Sequence, residues 1–103
     1  MGKVFVDPGI CGLKTTITSE SIDDFVTLTI ESECPHINKL GGKIEDIDPL
    51  TELFAKPADT EIYKAVAPVL AHTACPLYSA LYKAVEVAAA MALPRDVTMK
   101  IEP

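Results

Sequence analysis

The chain has 103 residues, 49% of them hydrophobic and 23% charged, which is the size of one domain and enough apolar material for a core. Its formal net charge of −6 argues against a nucleic-acid or anionic-membrane partner, since both require a positive footprint. Three cysteines cannot all pair within one chain, so a fully paired disulfide framework is excluded for a monomer.

The first β-prone segment is Val4 to Val6, and Asp7-Pro8-Gly9 closes it. Asp7 and Pro8 also break the apolar stretch that a secretory leader would need. The longest apolar run, Val87 to Leu93, is far below the ~20 residues that span a bilayer. These features lead us to expect a cytoplasmic protein, where thiols stay reduced and clustered cysteines serve metal or redox chemistry.

A second strand is expected over Leu13 to Ser19, where Thr15, Thr16, Ile17 and Thr18 are β-branched. A polar turn over residues 19–24 leads into Phe25 to Glu31. There Val26, Leu28 and Ile30 alternate with Thr27, Thr29 and Glu31, the period of a half-buried strand. The two strands should form an antiparallel hairpin.

The second half reads as helical. Pro35 to Leu40 is expected to make about two turns, ended by Gly41-Gly42. Asp48-Pro49 is an N-cap and first-turn pair for a helix through Phe54, and Pro57 ends that unit. Thr60 to Thr73 has helical spacing at Ile62, Val66, Val69 and Leu70, interrupted by Pro68. Cys75-Pro76 opens the last helix, expected to reach Leu93, where Pro94 stops it. Its polar residues Ser79, Lys83 and Glu86 form one narrow stripe, so most of its circumference should be buried. Val97, Met99 and Ile101 alternate with Thr98, Lys100 and Glu102, which predicts a C-terminal strand in need of a partner. The expected order is β-β-β-α-α-α-β. This is a single α+β domain over residues 1–103, a small, mostly antiparallel sheet with helices packed on one face.

All the soft or borderline ligands lie in three groups: Cys11-Gly12, Cys34-Pro35-His36 and His72-Thr73-Ala74-Cys75-Pro76. Each group lies at the edge of a predicted element. A helix N-terminus offers free N–H groups and partial positive charge, which lower a thiol's pKa and favour the thiolate, the form that binds metal. Cys34 and Cys75 are expected in such positions, and Cys75 at the N-cap itself. Buried cysteine also behaves as a small hydrophobe, so inert structural thiols are the plain counterpart of this reading.

The spacing resembles that of the U-type iron–sulfur cluster scaffold proteins, the group of the NifU N-terminal domain and IscU. In that group one Cys lies in a P-x-C-G-D loop, a second opens a helix after the next strands, and a third adjoins a His before a late helix. Pro8-Gly9-Ile10-Cys11-Gly12 looks like the first motif, Cys34 takes the second place, and His72 with Cys75 takes the third. The likeness runs from about Val6 to Leu93. The family's Asp after Cys-Gly, associated with cluster lability, is Leu13 here, and its adjacent His-Cys is opened to His72-x-x-Cys75. Glu33-Cys34-Pro35-His36 replaces its Gly-Cys-Gly-Ser, and its Leu-Pro-Pro-Val-Lys docking segment has no match. The pattern is also that of a small family sharing this fold without an assigned activity.

The resemblance implies thiolate ligands at Cys11, Cys34 and Cys75, with His72 or His36 as the fourth. Such a site would take an iron–sulfur cluster or Zn, and its partners would be proteins that donate or accept the metal or cluster. This is a binding role, with no catalytic residue assigned. The alternatives are a thiol redox protein with a transient disulfide, and a structural domain with inert cysteines. No phosphate loop, dinucleotide fingerprint or hydrolase motif is present. Glu45, Asp46, Asp48 and Glu52 read as a solvated acidic face, and Tyr78 and Tyr82, one helical turn apart, as core or interface rim. Ala88-Ala89-Ala90 gives a smooth helix face compatible with a homodimer.

Overall fold

The computed structural model describes residues 1–70 and 72–103. Among them, β1 (Gly2–Val6), β2 (Thr15–Ile22), β3 (Phe25–Ser32) and β4 (Lys43–Ile47) form one antiparallel sheet in chain order. Three short-to-medium helices, α1 (Pro49–Phe54), α2 (Glu61–Val66) and α3 (Leu77–Ala88), pack on one face of it. The fold is α+β, as the sequence pattern implied. The predicted order is corrected in two places. β4 falls where no element was expected, and the expected C-terminal strand does not form: residues 97–102 are exposed and unpaired.

The β2–β3 hairpin turns through Asp23 and Asp24, both in the left-handed region (φ 51° and 67°). Two such central residues make the turn whose twist matches the flanking strands. The register that follows sets Val6 beside Thr15 and Thr15 beside Ser32. It also sends Ile17, Val26, Leu28 and Ile30 to the inner face, where they are buried. The alternate residues, among them Thr16, Thr18, Thr27 and Thr29, face outward. β4 joins β3 through a bulge: Ile44 faces Leu28 and Ile47 faces Val26, leaving one residue extra in β4. Asp46 absorbs it with φ 58°. This departure from period two is why β4 was missed.

α3 supplies the other half of the core. Leu77, Leu81, Ala84, Val85 and Ala88 are buried against β1 and β2. The approach is close at Gly2, where a Cβ would sit 2.8 Å from Val87 Cγ1 and 2.9 Å from Ser19 Oγ. The polar stripe is as expected, with Ser79 and Lys83 exposed and Lys83 bonded to Glu86 at 2.9 Å.

The helix ends at Ala88, short of the predicted Leu93. Ala90 turns into the left-handed region at φ 58°. Its N–H donates to Val87 O (3.1 Å), and the Met91 N–H donates to Glu86 O (2.8 Å). That pair of bonds is the Schellman termination, normally marked by glycine. Here alanine occupies the glycine position, so the stop carries no sequence signal.

The other helices differ from expectation for similar local reasons. Asp48 caps α1 as predicted, accepting from Leu50 N at 3.1 Å. Pro35 to Leu40 yields only one 3-10 turn, Ile37–Leu40, ended by Gly41 at φ 77°. A second 3-10 turn, Pro57–Asp59, begins at the proline expected to end a unit. Thr60 caps α2 through Tyr63 N (3.1 Å), and α2 stops at Val66, ahead of Pro68. Glu52 does not lie on a solvated face. It is buried, and its two oxygens accept from Glu61 N (2.9 Å) and Ile62 N (2.7 Å), closing the first turn of α2 from outside.

Two stability measurements check this account. Ala90→Gly relieves the left-handed alanine and is expected to stabilise the protein by about 1 kcal/mol in urea unfolding, with unchanged slope. Glu52→Gln leaves one α2 amide facing a donor instead of an acceptor and is expected to cost roughly 1–3 kcal/mol in the same assay.

Candidate functional site

The cysteines and histidines sit on three connections that meet at one end of the sheet. Val6, Thr15 and Ser32 lie side by side there. Cys11 is in the loop between β1 and β2, and Cys34 follows β3 by two residues. Cys75 lies between α2 and α3, two residues ahead of Leu77, the first residue of α3.

Hydrogen bonds tie the first two connections together. Lys14 N donates to Glu33 Oε1 (2.8 Å), and Glu33 N donates to Lys14 O (2.9 Å). The Ser32 hydroxyl accepts from Cys34 N (3.0 Å) and shares a 2.7 Å bond with Thr15 Oγ1. Cys34 O in turn accepts from Asn38 N at 3.1 Å, so Cys34 is fixed from both sides. The Cys11 loop is held by Gly12 N to Gly9 O (3.0 Å) and Gly9 N to Asp7 Oδ1 (3.1 Å). Cys11 is exposed on it, whereas Cys34 and Cys75 are half-buried against the core.

A cavity of about 150 Å³ lies between these connections. Cys11, Cys34, Cys75, His36 and His72 all line it, so every cysteine and histidine of the chain faces one space. Its other walls are apolar or nearly so, with Val6, Leu13, Ile37, Leu70 and Leu77 among them. The donors surround the cavity without closing on a point. Among the described residues, no group of three or more His, Cys, Asp or Glu is arranged to hold a metal ion. A second groove adjoins the first through Leu70 and His72 and holds all three tyrosines. Tyr63 and Tyr78 stack there with ring centroids 6.0 Å apart. Tyr63 was not anticipated as part of this cluster, because its contact with Tyr78 depends on how α2 packs against α3.

The expected thiol activation is corrected at Cys75. Cys34 precedes only a single 3-10 turn, and Cys75 lies one residue before the helix cap, which is Pro76. Burial pushes the Cys75 thiol above its ordinary range; the Leu77 amide opposes this, and charge on Cys11 or Cys34 would add to it. Desolvation therefore outweighs the helix terminus at this site.

A family model matches residues 2–101. The chain belongs to DUF6951, a family of unknown function. No curated protein and no solved structure matches it. The match spans both the cavity-forming connections and most of the exposed C-terminal segment, so both lie within the family's unit. No helix among the described residues is long and apolar enough to cross a membrane.

Cys75 reactivity tests the electrostatics. In metal-free protein its alkylation at mildly alkaline pH is expected to be slower than that of an unstructured thiol peptide. Its rate should keep rising with pH beyond the ordinary thiol range, as mass spectrometry of trapped peptides would show. The raised pKa also means that the native state holds this proton longer than the unfolded chain. Stability from this group should therefore fall as pH climbs from the ordinary thiol pKa to the folded one, and Cys75→Ala should remove that fall.

Proposed function

We propose that the protein binds a soft or borderline metal centre, an iron–sulfur cluster carried as cargo or a zinc ion, in the cavity between its three connections. The observation that carries this reading is that Cys11, Cys34, Cys75, His36 and His72 all line that one cavity. Thiolates and imidazole are the donors such centres take, and among the described residues no carboxylate lines the cavity wall. The apolar walls would limit water and raise the strength of charge interactions around a bound centre. The three cysteines are free thiols, which suits the reducing cytoplasm.

The resemblance to the U-type scaffolds supports the same assignment. Cys11 lies in the loop before β2, Cys34 after β3, and Cys75 before the long helix, which are the three places where that group carries its ligands. The cysteines would be the thiolate ligands, with His72 or His36 as the fourth. Because the donors ring the cavity without a preformed coordination sphere, binding requires them to draw together. Each thiol must also lose its proton, so loading releases protons and strengthens as pH rises. Partners would then be proteins that deliver or receive the metal or cluster.

The test is elemental analysis and an absorption spectrum of the protein purified without oxygen, before and after incubation with iron and sulfide or with zinc. Near-stoichiometric binding is expected, with loss of the bound metal in Cys34→Ser and an unchanged circular-dichroism spectrum. Absence of binding, with a disulfide formed on mild peroxide treatment, would select the thiol-redox alternative instead.

A further inference from the structure

The segment Val97-Thr98-Met99-Lys100-Ile101-Glu102 has strict strand alternation, yet nothing among the described residues pairs with it. Val97, Met99 and Ile101 are 66%, 73% and 90% exposed. Three exposed apolar side chains at alternate positions fit a strand that has yet to find its partner.

The sheet has two edges, and they differ. β4 is broken by its bulge, carries Asp46 at positive φ, and presents Lys43, Glu45 and Asp46, the features that blunt an edge against pairing. β1 is regular along its whole length against β2 and, among the described residues, has no partner on its other side. It also leaves Phe5 75% exposed on its outer face.

We propose that residues 97–102 of one molecule add as an antiparallel strand to the β1 edge of a second copy, the two copies exchanging tails. One register satisfies every side chain. It sets Ile101 against Val4 and Met99 against Val6, on the inner face, where both valines pack on the core. On the outer face it sets Glu102 against Lys3 and Lys100 against Phe5, an ion pair and a cation over an aromatic ring. Sliding the tail by two residues in one direction puts Lys100 against Lys3. The parallel arrangement with Lys100 still facing Phe5 puts Glu102 against Asp7. Both create like-charge pairs that the chosen register avoids. A two-fold exchange places one such junction in each direction, doubling the contact area toward the ~1,200 Å² or more typical of a stable interface. The same register brings Met99 beside Val6, a wall residue of the cysteine cavity.

The experiment is sedimentation equilibrium of the full chain over a range of concentrations, with hydrogen exchange on the same samples. A monomer–dimer equilibrium is expected, with amides of residues 97–102 protected in the dimer. Lys100→Pro, which removes the ladder donor set opposite Phe5, should abolish the dimer without changing the circular-dichroism spectrum. Lys3→Glu or Glu102→Lys alone should raise the dimer dissociation constant about tenfold, and the two changes together should restore it. A monomer at every concentration overturns the proposal, as does a dimer indifferent to Lys100→Pro. Protection of residues 97–102 in a monomer overturns it too, because it would mean that the tail pairs within its own chain.

Discussion

The pairing of Val6, Thr15 and Ser32 across three strands governs both halves of this molecule. Inward, it sets the phase that buries Ile17, Leu28 and Ile30 under α3. A slip of one residue would turn that whole set to solvent. Lengthwise, it fixes where the strands stop, and so where the β1–β2 loop and the segment after β3 emerge. The Lys14–Glu33 bond pair then joins those two connections directly. Cys11 and Cys34, separated by an entire hairpin in the chain, face one cavity for this reason.

The third connection reaches the cavity by a different route. α3 lies against β1 and β2 so closely that Gly2 has no room for a side chain. Leu77 is buried at its first turn, which anchors the N-terminal end of the helix over the same end of the sheet. Cys75 is carried there with it. Packing energy thus places this thiol, and burial of its surroundings raises its pKa against the pull of the nearby Leu77 amide.

The two edges of the sheet reflect opposite treatments of the same hazard. β4 is bulged and charged, which discourages further strands. β1 is straight and open, and an alternating segment of complementary charge extends from the far end of the same chain. The family match runs to residue 101 and so covers this segment up to Ile101.

Period-two alternation made β3 legible in the sequence. Cap chemistry marked Asp48, and the clustering of cysteine and histidine at element boundaries marked the residues of the candidate site. Those signals are local, carried by side chains whose conformational preferences act over a few residues. What the sequence could not determine lay in non-local packing. The bulge in β4 depends on its pairing with β3. The stop at Ala90 depends on backbone bonds that alanine does not announce. Glu52 looked solvated until α2 was brought over it, and residues 97–102 had the alternation of a strand but no partner among the described residues. The convergence of three cysteines and two histidines on one cavity belongs to the same class: composition and spacing named the donors, and only the register of the sheet and the seating of α3 decided that they share a space.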